Sequence, residues 1–568
     1  MPNQEPEDAQ TIDLNLFRLS LRSADLLVAT VLINMLSLAL PLTMMQVYDR
    51  IIANRTVDTL VWLIVGCIVA LLLEGALRIV RAFISAYMAA RFEHTAGCQA
   101  VHKILNSRLD AFDQDGPSTH LDRLNAVGAL RGFYAGQAFQ VLMDLPFALL
   151  FLIAVGYLGG IIVLVPVCVI LAFLATAVFL NRRFKAAREQ QIEANERRTG
   201  FVVEVLSRIH TLKAVSMEEQ MLRRYEKLQA SGAQSDMNVG LWTMLPANLG
   251  SMFSQAAFFG VICIGAGQVM NGTLTIGVLT ACSLLSTRAM QPILSIAGFL
   301  LRFSEVRLAQ GRFEKILQLE DEGTEGLPTF PADVRGAIEL RDVSFRPTPD
   351  LPDIFQEVSL TVPAGAMVAI HGANLRGTST LLQLMLGLRR PSQGTVLIDG
   401  LNLSGWDYTS LRGRVGYIPQ SAALFKGTIL DNITMFDTDM RSAALDAAGL
   451  VGLDELVARL PMGYETPVTA QASSLLPGDV VHRVAIARTL VVRPRILLLD
   501  KIDTAMDRDS QTVFRWLLEH LKGKCTIVIV TDQPNLLELS DEAYELTGTH
   551  LEPSEFLVLL REMQEFKL

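Results

Sequence analysis

Gly372 and Gly377 in "AIHGANLRGTST" (369–380) hold the spacing of a phosphate-binding loop, G-x-x-x-x-G-K-[ST]. Such a loop turns backbone N–H groups and the dipole of a helix start towards phosphate oxygens. The candidate nucleotide-binding residues are therefore Gly372, Ala373, Asn374, Leu375, Arg376, Gly377, Thr378, Ser379 and Thr380. Ser379 stands where a magnesium ligand belongs, but the lysine position holds Thr378. A strand-like run, "AMVAI", leads into the loop, and helix formers, "STLLQLMLGL", follow it. Gln420 after "GYIP" and Asp500 at the end of "RILLLD" bring two more polar side chains to strand ends. Ser379, Gln420 and Asp500 form the candidate magnesium set.

These residues need an α/β frame, and the last part of the chain has its pattern. "AIELRDVSF", "AMVAI", "TVLIDG", "GRVGYIP", "RILLLD" and "CTIVIVT" are short apolar strands separated by helical stretches, which places an α/β domain at 337–568. The rest of the chain is different. Hydrophobic residues make up 51% of the 568 positions, and the mean hydropathy is +0.35. Apolar runs near 26–46, 60–79, 142–158, 161–180, 247–268 and 274–295 are each close to the length that crosses a bilayer. The turns "YLGG" and "VMNGTL" carry no Lys or Arg, whereas 81–131 and 182–227 carry many. The positive-inside rule then puts the two long basic stretches in the cytoplasm. An even count of spans returns the chain there.

The stretch 181–215 is rich in helix formers and lacks Gly or Pro until Gly200, so it reads as a membrane helix continuing into the cytoplasm. "LEDEGTEGLPTFPADVRG" (319–336) gathers acids, Gly and Pro and reads as linker. The expected organisation is a cytoplasmic segment 1–25, a membrane domain 26–310, a linker 311–336 and the α/β domain 337–568. The polar start shows no signal-peptide pattern. The net charge of −9 gives no broad basic surface, which excludes nucleic acid as a partner. The six cysteines show no disulfide or zinc spacing. Glu74 lies within a span, with Arg78 one turn on, and the pair is expected to bond to itself as an i,i+4 ion pair.

The order of loop, "YIPQSAALFKGTILDNI", "VAIARTL", "LLLD" and "TAMD" resembles the nucleotide-binding domain of ABC transporters. Six spans ahead of it resemble an exporter half-transporter. "PLTMMQVYDRIIANRTVDTL" (41–60) and "FYAGQAFQVLMDLPFALLFL" (133–152) resemble the type I secretion branch, in its short protease- and lipase-exporting form without a peptidase-like domain. The resemblance implies a membrane all-α six-helix exporter domain fused to an α/β P-loop nucleotide-binding domain. It also implies the bacterial inner membrane, with the nucleotide-binding domain in the cytoplasm. The implied partners are membrane lipid, a second ABC subunit, a membrane-fusion adaptor and an outer-membrane channel. The implied ligands are ATP and Mg2+.

Against that family pattern the chemical positions are altered. Thr378 replaces the loop lysine, Leu375 the middle glycine and Pro347 the aromatic that stacks on adenine. Arg376 stands at a position that faces away from phosphate in the family. The L-S-G-G-Q segment that closes over the other subunit's ATP reads Leu476, Pro477, Gly478, Asp479 and Val480. Lys501 takes the catalytic glutamate's place, and Asp532 that of the switch histidine. Gln420, "SAALFKGTILDNI", "RIHTLKAVSMEEQ" (208–220) and Asp507 match the parts that touch membrane helices or cross the dimer interface. Hydrolysis by this chain, and tight nucleotide binding, are therefore not expected. Two readings follow: the impaired subunit of an exporter dimer, or a membrane scaffold or regulator that kept the fold alone.

Overall fold

The computed structural model describes residues 24–135, 137–323, 327–347, 352–372, 377–468, 476–506 and 508–555. The chain forms two compact units, one of Met1–Ile104 with Ser118–Gln318, the other of Leu105–Pro117 with Leu319–Leu568.

The first unit is helical. Helices α1 (Ala24–Leu36) and α2 (Ala39–Gln46) lead into a π turn, Val47–Ile51, and the stretch closes with Arg55 in the left-handed region. Next come α3 (Val57–Leu105) and α4 (Leu109–Ala135), the latter broken at Gly116 just before Pro117. Helices α5 (Gln137–Gly159) and α6 (Leu164–Ser207) turn on Gly160, at φ 57°. A short α7 (Ile209–Ala214) then joins α6 to α8 (Glu218–Met270), and α9 (Ile276–Leu317) follows. The helix through the basic stretch persists past Gly200, as its composition predicts. At about 1.5 Å per residue, α3, α6, α8 and α9 each outrun the ~30 Å hydrocarbon core. Among the described residues, Asp25–Asn54, Val57–Leu105, Gln140–Ser207 and Glu218–Met270 are long and apolar enough to cross a membrane, and the third contains the α5–α6 turn. Trp62, Leu72, Ile79 and Phe83 point outward from α3, a surface suited to lipid rather than water.

Several buried polar groups inside this unit are paired. Arg81, 6% exposed, donates to Asp144 Oδ1 at 2.9 Å, and Asn34 Nδ2 donates to the same oxygen at 3.2 Å. Arg78 donates to Glu74 Oε1 through Nε at 3.0 Å and Nη2 at 2.6 Å, which is the i,i+4 pair the sequence predicts. Asp49, in the "VYDR" motif, accepts from Thr275 Oγ1 at 2.7 Å and from the Gly277 N–H at 2.8 Å. A carboxylate there satisfies an open amide at the start of α9 and complements its dipole.

Among the described residues, the second unit has three sheets. An antiparallel sheet runs in the order β2 (Phe355–Val362), β1 (Ile338–Phe345), β4 (Gln393–Ile398), β5 (Leu401–Asn402). A larger sheet is built of β12 (His550–Pro553), β11 (Glu542–Thr547), β3 (Met367–His371), β10 (Thr526–Val530), β9 (Ile496–Asp500) and β6 (Val415–Ile418). All but β12 run parallel in it. The third is the small pair β7 (Gly427–Thr428) and β8 (Pro467–Val468). Alternate residues of the parallel strands feed two cores. Met367, Leu497, Leu499 and Ile527 enter one; Val368, Leu498, Val528 and Val530 enter the other. Burial on both faces is why these strands read as unbroken apolar runs.

The short piece Leu105–Pro117 is built into this second unit. Arg389 ion-pairs with Asp110, and with Asp113 at 2.6 Å. Arg108 bonds Glu320 at 2.8 Å, and Arg412 grips Glu322 with two bonds of 3.0 and 2.7 Å.

Candidate functional site

The parallel strands end together, and their carboxyl ends carry the site, as open α/β sheets arrange their ligands. Strand β3 delivers Gly372. Helix α10 (Thr378–Met385) starts after Gly377, which sits at φ +95°. A Cβ there would meet Ile354 Cγ2 at 2.5 Å and Phe355 Cζ at 3.0 Å, so both the conformation and the space require glycine. Thr378 is fully buried at 0% exposure, and Ser379 is half-buried beside it. Ala373, Asn374, Leu375, Arg376 and Asp507 lie outside the described residues.

Asp500 closes β9 at 2% exposure. Its Oδ2 accepts from Tyr417 Oη at 3.4 Å, while its Oδ1 is buried with no partner among the described residues. Burial first, and the Asp500 charge second, push the Tyr417 phenol up to about 12. An orphaned carboxylate oxygen near a helix start that offers the Ser379 hydroxyl fits a hard divalent cation. Asp500 and Ser379 are the residues that would hold magnesium. Gln420, two residues beyond β6, is exposed.

The neighbouring positions carry further charged side chains. Asp532 Oδ1 accepts from the Gly372 N–H at 3.3 Å, so a carboxylate engages the amide at the mouth of the loop. Lys501 stands in the left-handed region at φ 49°, its N–H bonded to Val530 O at 3.1 Å. Helix α12 (Gly478–Val491; α11 is Ile429–Thr434) begins after Pro477, which provides no side-chain cap. Asp479 lies in its first turn and accepts from the Val480 N–H at 2.9 Å. An acid there complements the helix dipole. Leu476 is half-buried, Pro477 and Gly478 are exposed, and Val480 packs inside.

Sequence reasoning missed Asp503. It is 3% exposed, its Oδ2 accepts from Thr531 Oγ1 at 2.7 Å, and its Oδ1 has no partner among the described residues. Burial raises its pKa, and the nearby Asp532 charge adds to the rise. The available signal was an acid enclosed by apolar residues in "LLLDKIDTAM". A carboxyl with a raised folded pKa binds its proton more tightly folded than unfolded. Its penalty is absent below the ordinary aspartate range and grows as pH rises through the raised value. Asp503→Asn should therefore raise the unfolding midpoint at pH 8, with the gain shrinking as the pH falls towards 5. Melting curves of both proteins in detergent check this, and a gain that grows at low pH refutes it.

Comparison with known proteins agrees with this geometry. Residues 26–293 match the family model of the ABC transporter transmembrane region, and 355–503 match that of the ABC transporter domain. The chain is 27% identical over 526 residues to the cyclolysin secretion/processing ATP-binding protein CyaB of Bordetella pertussis, covering 92% of this chain and 74% of that one. It is 25% identical to the exotoxin translocation ATP-binding protein PaxB of Pasteurella aerogenes, covering 93% and 74%. To the alpha-hemolysin translocation ATP-binding protein HlyB of Escherichia coli it is 28% identical, covering 89% and 71%. Among solved structures, a bacterial Atm1-family ABC exporter with ATP bound has the same fold, with a TM-score of 0.82, 21% identity and 97% of each chain covered. The chain thus belongs to the ABC transporter family, with an exporter membrane domain and a cytoplasmic nucleotide-binding domain on one polypeptide of the inner membrane.

Proposed function

We propose that this chain is the catalytically impaired subunit of a dimeric exporter of the type I secretion kind, moving a protein or peptide out of the cytoplasm. The observation that carries this reading is the bond from the Gly372 N–H to Asp532 Oδ1. The amide that opens the loop is engaged by a carboxylate of the same chain, where an ATP site needs it for phosphate. The missing loop cation and the acid at the start of α12 act in the same direction. A positioned base contributes roughly 10²–10⁴-fold, and a lysine ammonium at position 501 has no lone pair to act as one. Mg-ATP is accordingly held weakly.

A polypeptide cargo is supported by the secretion and translocation named for the relatives. Dimerisation is supported by the α7 turn, where Leu206, Val215 and Leu222 expose apolar side chains that a second subunit would cover. An adaptor and an outer-membrane channel complete the assembly. The topology is six spans with both ends of the chain in the cytoplasm; four helical stretches, the third turning back at Gly160, support five of them, and α9 is taken as the sixth. Single cysteines at Ile161, exposed in the turn after α5, and at Asn271 should be labelled from outside, and one at Lys185 should not. The reverse pattern refutes the topology.

The test is calorimetry and phosphate release with the full-length chain in nanodiscs, alone and co-purified with a second ABC subunit. Weak binding and background turnover alone are expected, with turnover appearing in the mixed complex. The missing adenine stack should by itself weaken binding by roughly tenfold or more, taking ~1–3 kcal/mol per stack by analogy. Tight Mg-ATP binding by the chain alone overturns the reading.

A further inference from the structure

A cavity of about 360 Å³ opens among α2, α8 and α9, lined by Leu40, Pro41, Gln255, Phe258, Thr287 and Arg288. Arg288 lies ~18 Å along α9 from its start, and Gln255 ~22 Å along α8 from its end, at 1.5 Å per residue. Both depths fall inside a ~30 Å hydrocarbon core. The volume is that of a small ligand site.

Among the described residues, the charges beside this cavity do not cancel. Glu74 is enclosed, with its side chain 7% exposed, and it already accepts the Arg78 guanidinium at 2.6 Å. Arg288 approaches the same oxygen only to 3.8 Å and is 35% exposed. The nearby Arg81 is matched by Asp144. Glu74, Arg78 and Arg288 together leave one positive charge unbalanced, and Arg288 is the member that lines the cavity. An ionised group at membrane depth is costly unless matched, and such groups mark substrate paths. A guanidinium is best matched by a carboxylate, through two parallel hydrogen bonds. Around it, Gln255 and Thr287 offer polar atoms, while Leu40, Pro41 and Phe258 offer apolar surface.

We propose that this cavity binds a carboxylate carried on an apolar polypeptide segment, with Arg288 as its counter-ion. The polypeptide source rests on the exporter reading above; the carboxylate chemistry does not. In that role Arg288 holds an acidic group of the cargo at mid-membrane.

The probe is a fluorescent apolar heptapeptide ending in a free carboxylate, compared with the same peptide ending in an amide. Both are titrated onto the full-length protein in nanodiscs of zwitterionic lipid without nucleotide. The acid should bind about tenfold or more tighter than the amide, the worth of a charge-assisted hydrogen bond. Arg288→Ala should equalise the two, and Arg288→Lys should keep part of the preference. Glu74 keeps Arg78 in either variant, so both should fold; Arg288→Gln serves if the alanine variant is not monodisperse. Equal binding of acid and amide by the wild-type protein, or a preference that survives Arg288→Ala, overturns the proposal. Oleate that binds through Arg288 while neither peptide binds also overturns it, by assigning the site to lipid. A chain that separates acid from amide yet secretes nothing keeps the site and loses the exporter reading. Secretion with no discrimination between the peptides does the opposite.

Discussion

Thr378→Lys, made alone, leaves phosphate release by the purified chain at background. The substitution restores one cation to a loop whose mouth still carries Asp532 on the Gly372 amide. Lys501 still occupies the position of the base, next to Asp500, whose free oxygen is the natural magnesium ligand. In the dimer proposed above, α12 would still present Pro477 without a hydroxyl and Asp479 with a charge of the wrong sign. Phosphoryl transfer depends on these groups as a set, and effects within such a set are far from additive. Turnover should appear only when Thr378→Lys is joined by Lys501→Glu, Asp532→His, Pro477→Ser, Asp479→Gly and Val480→Gln. Then about one turnover per second, the low end for enzymes, becomes measurable in nanodiscs. That rate from the unaltered chain or from the single variant would show that the site works as it stands.

Asp144→Ala should be the most damaging single change in the membrane unit. It leaves the Arg81 guanidinium, 6% exposed, without its carboxylate, and removes one of two acceptors of the Asn34 amide, the other being Thr30 O at 2.9 Å. Stranding one partner of a buried ion pair costs about 3–5 kcal/mol. Removing both charges together is often neutral, because neither is then left desolvated. Arg81→Met with Asp144→Leu should therefore recover most of the loss. Thermal unfolding in detergent reads both. A double variant no better than Asp144→Ala would mean that the pair itself, rather than the orphaned arginine, carries the stability.

Much of this was legible in the residues because each signal is local. The parallel strands show as apolar runs, since both of their faces meet a core. The Glu74–Arg78 pair follows from one turn of helix. The loop glycines announce themselves because Gly377 leaves no room for a Cβ. What was not legible depends on distant partners. Nothing adjacent to Asp532 in the sequence says that its carboxylate meets Gly372, 160 residues earlier. Asp503 is written among apolar neighbours, but its burial and its bond to Thr531 come from the packing of β9 beside β10. Arg288 reads as a lone charge in an apolar run until α2 and α8 enclose a space beside it. Strands β2, β11 and β12 were missed because half or more of their residues are exposed, and such strands carry too few apolar residues to stand out.

The second unit is not continuous along the chain: Leu105–Pro117 belongs to it, and all of Ser118–Gln318 intervenes before the rest. This sets an order of events on the ribosome. At 5–20 residues per second, the early piece waits roughly 10–60 s for Arg389 to be synthesised. During that wait Asp110 and Asp113 lack their arginine, and their charge keeps the piece hydrated. The membrane helices are translated, and can insert, before the soluble domain can close around this segment. A nascent chain stalled in insertion therefore leaves Arg389 without its two aspartates, and completion of the soluble domain reports that the piece between α3 and α4 has been delivered.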